Sequence, residues 1–224
     1  MGKCPDFLII GEMKCGTTAL YKYVTGHPQI EPATRKELAF FNSHFNKGIR
    51  WYQRQFPDVG KHLTGEASGY LKFPDVSRRV AKVIPNVKLI VILRNPVDRA
   101  YSHYHMHLEK KKISIPFEKA IKQFPVYLEQ GKYEWKLRRW MKVFPANQFF
   151  IIQNEQLNKL PQKTMGSVFR FLGLRTYSVN VHKKYNTQNY TKIHPRTREV
   201  LIDYYKPYNK RLYRLLNKQF DWDQ

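Results

Sequence analysis

Gly11 and Gly16, in "FLIIGEMKCGTTALYKYV" (7–24), have the spacing of a phosphate-binding loop. In the nucleoside-triphosphate version a lysine and then a serine or threonine follow the second glycine. Here Thr17 and Thr18 follow it, and the nearby lysine, Lys14, lies inside the loop. A second charged candidate closes the apolar run in "VKLIVILRNPVDRAYS" (87–102). It is Arg94, at a strand's carboxyl end, where a Walker-type site would place a metal-holding aspartate. Arginine in that position suits an anion rather than a cation. The two stretches point to a phosphorylated ligand held by protein cations, with no obligatory metal. Asn154 and Glu155, after a later strand, are the residues that could hold a metal instead.

Regular elements must carry these side chains. Asp6 to Ile10 reads as a buried strand, and Thr17 to Thr25 as a helix with Leu20, Tyr21 and Val24 on its apolar face. Strand, glycine loop and helix in that order aim the unpaired first-turn N–H groups of the helix at an anion. The stretch 25–32 is turn-rich, and "RKELAFF" (35–41) reads as a loop or short helix. "GIRWYQRQF" (48–56) reads as a helix with Ile49, Tyr52 and Phe56 inward, and 62–67 as a strand or loop. Asp75 to Ile84 is helical, Val87 to Arg94 is the clearest buried strand, and Asn95 and Pro96 then cap and open a helix to about Lys110.

Helices over 117–124 and 133–143, a strand over 148–153 and a helix over 165–172, ended by Gly173, complete the middle of the chain. From Pro195 a long amphipathic segment runs on, interrupted by Pro207, with Leu201, Tyr204, Tyr208, Leu212 and Leu215 in one buried stripe. This alternation predicts an α/β fold in three layers, P-loop-like, with a central, mostly parallel sheet flanked by helices. At 224 residues it reads as a single domain, 1–224.

The 40 basic residues against 17 acidic ones leave a net charge of +23, which calls for an anionic partner. Two cysteines, Cys4 and Cys15, make no disulfide framework and read as free thiols. No apolar run has the length of a membrane span. If the ends are natural the protein is expected in the cytoplasm; if a leader has been removed, the Golgi lumen becomes the expectation.

"PDFLIIGEMKCGTTALYKYVTGHPQI" together with "VKLIVILRNPVDRAYSHYHMH" resembles the sulfotransferases that use 3′-phosphoadenosine 5′-phosphosulfate (PAPS), above all the carbohydrate, heparan sulfate-type enzymes and their bacterial relatives. "RKELAFFNSHFNKGIRWY", "GEASGYL" and the closing helical segment share the likeness. The resemblance implies that Lys14, Cys15, Gly16, Thr17, Thr18 and Ala19 surround the 5′-phosphosulfate, with Lys14 beside the bridging oxygen where negative charge develops. Arg94 and Ser102 map onto the family's 3′-phosphate pair. Lys183, Lys184 and Tyr185 fall where relatives place a loop closing over the donor.

Sulfuryl transfer also needs a base for the acceptor proton. The resemblance implies Glu37 for that role, with Glu66 as a second carboxylate that assists the acceptor or organises the site. His44 is the rival base, as in cytosolic members of the superfamily. The heparan enzymes commonly carry a lysine just after the second carboxylate; Ala67 stands there, which argues against a heparan-like acceptor. The implied reaction moves the sulfuryl group of PAPS to a hydroxyl or amine of a carbohydrate or a small metabolite alcohol.

Two other readings compete. A P-loop kinase or NTPase would need the lysine elsewhere, and a basic nucleic-acid-binding module would leave Lys14, Arg94 and Ser102 without a shared purpose. His103 and His107 have helical i, i+4 spacing suited to a metal, but no third ligand accompanies them. "EKKK", Glu109 to Lys112, reads as a solvated helix end, with contact to an acidic acceptor as the alternative.

Overall fold

The computed structural model describes residues 2–58, 60–181 and 191–223. They pack as two compact units, one built from the described residues of 1–93 and 139–181, the other from those of 94–138 and 191–223.

The first unit holds a five-stranded sheet: β1 (Phe7–Gly11), β2 (Ile30–Pro32), β3 (Leu63–Ala67), β4 (Lys88–Leu93) and β5 (Phe149–Gln153), in the order β2-β3-β1-β4-β5. Every pairing is parallel. Central β1 is buried along its whole length, as is β4 after Lys88, because strands covered on both faces must be apolar throughout. Edge strand β2 lies in the stretch read as turn-rich. It is three residues long and ends in Pro32, a residue tolerated at a sheet edge.

Helix α1 (Thr17–Val24) carries the chain from β1 towards β2, and α3 (Val76–Val83) carries it the other way, from β3 to β4. Right-handed crossovers in opposite directions put their helices on opposite faces, which makes the three layers. The order reverses at β1, and ligands of open parallel sheets bind beyond the strand ends at such a reversal. The phosphate-loop sequence sits at that end of β1.

Between β2 and β3 the chain makes one turn of π-helix (Phe40–His44), one of 3₁₀-helix (Phe45–Lys47) and the short α2 (Gly48–Gln53). Tyr52 and Phe56 are buried as expected, but Ile49 is 38% exposed. The helix is only six residues long, so the inward face is set by Tyr52 against Phe40 and Phe41 rather than by a continuous stripe.

The second unit contains α4 (Pro96–Glu109), α5 (Phe117–Gln123), α6 (Val126–Glu129), the start of α7 (Glu134–Met141) and the long terminal helix. Asn95 caps α4, its side chain accepting from the Val97 N–H at 3.0 Å. Back in the first unit, β5 is followed by α8 (Asn154–Lys159) and α9 (Pro161–Leu172), the latter starting a turn earlier than its apolar pattern and ending at Gly173 in the left-handed conformation.

The terminal helix, α10 (Pro195–Leu216), runs through Pro207 without a break. Pro207 is exposed, so the carbonyl it leaves unpaired one turn earlier can be solvated. The buried face also differs from expectation: Leu201, Tyr205, Asn209 and Leu212 face the core, while Tyr204, Tyr208 and Leu215 are half-buried. Tyr205 joins Val97, Ala100, Tyr104, Phe117, Ala120, Tyr127 and Leu201 in one cluster. Tyr204 and Tyr208 instead lie beside the ammonium of Lys132. Among the described residues no helix is long and apolar enough to cross a membrane.

Candidate active site

Beyond β1 the chain leaves the sheet as a pinned loop. The Glu12 N–H donates to the carbonyl of Ile92 in β4 at 2.8 Å, and the Cys15 N–H returns to the Glu12 carbonyl at 3.1 Å. Gly11 (φ 147) and Gly16 (φ 97) hold conformations that side chains rarely adopt. A Cβ on Gly16 would lie 2.5 Å from the side-chain nitrogen of Asn154, so this position needs glycine twice over. Cys15 is fully buried, and its thiol faces the Met13 carbonyl.

Gly16 is the N-cap of α1, where no side chain caps the helix and no acidic residue occupies the first turn. The first-turn N–H groups of Thr17, Thr18 and Ala19 have no intrahelical acceptor, so they form a cradle for an anion. Lys14, Thr17 and Thr18 around it are partly exposed. This donor set fits a phosphate or sulfate group. Lys14 itself sits at φ 67, a left-handed conformation costing about 1–2 kcal/mol for a residue with a Cβ.

The Glu66 carboxylate of β3 is the centre of a second cluster in the same unit. Glu66 lies opposite Leu8 in the register and is wholly buried. Its Oε1 accepts from the hydroxyls of Tyr52 and Tyr70, each at 2.7 Å, and its Oε2 from Ser68 at 2.6 Å. The Leu38 N–H is a fourth donor. Burial pushes the Glu66 carboxyl above the usual carboxylate range, opposed by these four hydrogen bonds. Burial, and then the neighbouring Glu66 charge, raise Tyr52 and Tyr70 well above an ordinary phenol.

Three successive backbone N–H groups thereby reach the end of β3. Glu37 donates to the Ala67 carbonyl at 3.0 Å, Leu38 to the Glu66 carboxylate, and Ala39 to the Ser68 hydroxyl at 3.1 Å. Glu37 (φ 64) and Ala39 (φ 52) are both left-handed, so the strand end holds a strained turn. The Glu37 side chain projects outward, 65% exposed and paired with Lys36. His44 ends the π turn, half-buried with its ring 5.7 Å from that of Trp51. Ser68 and Tyr70 lie two and four residues after Glu66, so two of its partners stand in its own motif "GEASGYL", brought to it by a tight turn in which the Tyr70 N–H donates to the Ser68 carbonyl at 2.7 Å.

In the second unit, Arg94 follows β4 directly and is partly exposed, its carbonyl accepting from the Tyr133 hydroxyl at 2.8 Å. Ser102 is buried on α4. His103 and His107 lie 4.6 Å apart between ring centroids, and His107 Nδ1 is 2.7 Å from the Tyr127 hydroxyl. Among the described residues no group of three or more His, Cys, Asp or Glu could hold a metal ion. Asn154, offered by its position as a metal-holding residue, instead donates through Nδ2 to the Cys15 carbonyl at 2.9 Å. Lys183, Lys184 and Tyr185 lie outside the described residues.

A family model described as "Sulfotransferase domain" matches residues 4–212. The chain belongs to the sulfotransferase family. Among curated sulfotransferases it is 33% identical over 199 residues to the human bifunctional heparan sulfate N-deacetylase/N-sulfotransferase 2, a match covering 78% of this chain and 22% of that protein. It is 25% identical over an alignment of 312 positions to the membrane-associated sulfotransferase kil1 of Dictyostelium discoideum, covering 97% of this chain and 66% of the relative. The chain thus spans less than two thirds of these relatives. Of solved structures, the sulfotransferase from Alicyclobacillus acidocaldarius superposes with a TM-score of 0.89 at 26% identity, covering 99% of this chain and all of that one. Mouse sulfotransferase SULT7A1, solved in complex with PAP, shares the fold with a TM-score of 0.59 at 17% identity, over 79% of this chain and 61% of that one.

Proposed function

We propose that this chain transfers the sulfuryl group of PAPS to a hydroxyl or amine of a carbohydrate or related metabolite, leaving adenosine 3′,5′-bisphosphate. The observation that carries the reading is the uncapped start of α1, with Lys14 held inside the loop that precedes it. The family match runs through both units, which supports reading 1–224 as one sulfotransferase domain.

The bound donor would supply an activated sulfuryl group on a phosphate leaving group. The α1 N–H groups and the hydroxyls of Thr17 and Thr18 bind and orient its 5′ end, so that attack proceeds in line. The Glu37 carboxylate takes the proton of the acceptor as the new O–S or N–S bond forms. The bridging S–O bond breaks, its electron pair goes to the phosphate oxygen, and the Lys14 ammonium stabilises that charge. Arg94 and Ser102 bind the 3′-phosphate, which sets PAPS apart from ATP.

Glu66 is less suited to be the base: buried and hydrogen-bonded on both oxygens, it organises the turn that carries Glu37. The basic surface supports an acidic acceptor, and the names of the curated relatives support a glycan. Ala67, in place of the heparan enzymes' lysine, argues for an acceptor other than heparan itself.

Calorimetric titration with adenosine 3′,5′-bisphosphate, AMP and Mg-ATP tests the reading. Tight binding of the bisphosphate without metal, lost when the 3′-phosphate is absent, is the expected result. Preference for Mg-ATP would return the loop to a kinase or NTPase, and binding of none of the three would refute the donor assignment.

A further inference from the structure

Asn154 is the first residue of α8, directly after β5. Its amide is fixed on both sides. Nδ2 donates to the Cys15 carbonyl at 2.9 Å, and Oδ1 accepts from the side chain of Asn158, one turn on, at 3.0 Å. The second bond orients the amide, since it places the oxygen towards α8 and leaves the NH₂ for the loop. The contact is close, because Nδ2 occupies the space where a Cβ on Gly16 would stand.

The Cys15 carbonyl belongs to the same peptide plane as the Gly16 N–H. A rigid plane held by its oxygen has its N–H direction fixed as well. A donor on the oxygen also polarises the amide and strengthens what its N–H can give to an anion. The far end of the loop is tied to β4 through Glu12. Asn154 is therefore the anchor at the end nearest the cradle, on the peptide that leads into Gly16 at φ 97.

We propose that Asn154 is a positioning residue for the 5′ end of the bound nucleotide, aiming and polarising the Cys15–Gly16 peptide. This rests on the donor assignment above and adds a residue to it. An amide at this place contributes through its N–H donor, not through its bulk, so its isostere aspartate is the informative change.

The test is calorimetry of the full chain with adenosine 3′,5′-bisphosphate and with adenosine 3′-monophosphate, which lacks the 5′-phosphate. Asn154→Ala should weaken the bisphosphate about tenfold, the effect of one neutral hydrogen bond, and leave the monophosphate within about twofold. Asn154→Asp should weaken the bisphosphate more than alanine does, because a carboxylate would face both a carbonyl and the ligand's phosphate. Asn158→Ala, on an exposed residue, should give a smaller loss of about two- to threefold with the same ligand selectivity, even if changes at Asn154 impair folding. Equal losses for both ligands, no loss for either, or an aspartate better tolerated than alanine would overturn the proposal while the donor assignment stood. A wild-type chain that ignores the bisphosphate would overturn the donor assignment, and this inference with it.

Discussion

Replacing Glu66 measures how much the buried carboxylate cluster contributes. Glu66→Ala leaves four donors without their acceptor: the hydroxyls of Tyr52, Tyr70 and Ser68 and the Leu38 N–H. A buried donor left unpaired costs about 1–3 kcal/mol, so the sum is about 4 kcal/mol at the least. Domains of this kind have about 5–15 kcal/mol in total, and the alanine variant should stand close to unfolding. Glu66→Gln is gentler. Its amide oxygen still serves both tyrosines and its nitrogen can donate to Ser68, so the loss should be about 1–2 kcal/mol.

The glutamine variant also separates the charge from the hydrogen bonds. Burial raises the folded-state pKa of Glu66 above that of the unfolded chain, so the folded protein binds the proton more tightly. The stability tied to that proton is fully present below the unfolded carboxylate range and is lost as pH rises through the raised value. Glutamine has no such loss. Urea denaturation from pH 4 to 7 should therefore show the variant gaining on the wild type as pH rises. An alanine variant costing under about 1 kcal/mol, or a glutamine difference flat with pH, would refute the reasoning.

Lys14→Ala should lower kcat about a hundredfold or more in single-turnover transfer from PAPS to a desulfated glycosaminoglycan, with little change in bisphosphate affinity; unchanged turnover would remove Lys14 from the reaction. Glu37→Gln should abolish transfer while calorimetry shows nearly intact bisphosphate binding, and full activity would pass the base role to His44 or Glu66. Arg94→Ala should weaken the 3′-phosphorylated nucleotide far more than AMP, and equal losses would contradict its assigned contact. With an acidic polymer as acceptor, transfer should fall steeply between 50 and 300 mM salt (roughly, as the Debye length shortens below 10 Å); a shallow dependence would favour a small neutral alcohol.

The elements nearest the loop were legible because local chemistry dictates them. An apolar run ending in glycine gave β1, and asparagine before proline gave the start of α4. Strand β2 was hidden because three residues at a sheet edge take their conformation from the neighbouring strand. Tyr205 displaced Tyr204 from the expected stripe because the helix turns a different side to α4 and α6, with the Tyr205 hydroxyl donating to the Leu128 carbonyl. The left-handed turns at Lys14 and Glu37 were also invisible, since neither residue type announces that conformation. The role of Glu66 was half legible: two partners lie in its own motif, but Tyr52 and Leu38 come from elsewhere in the chain.

The hydrogen bond from Asn154 to Cys15 spans 139 positions of sequence. During synthesis the ribosome delivers the glycine loop and α1 early, yet their anchor only after β5. A nascent chain would thus hold the recognisable motif long before it held a finished pocket. By the anchoring proposed above, a chain not yet extended to Asn154 would hold the bisphosphate about tenfold less tightly than one that has passed it.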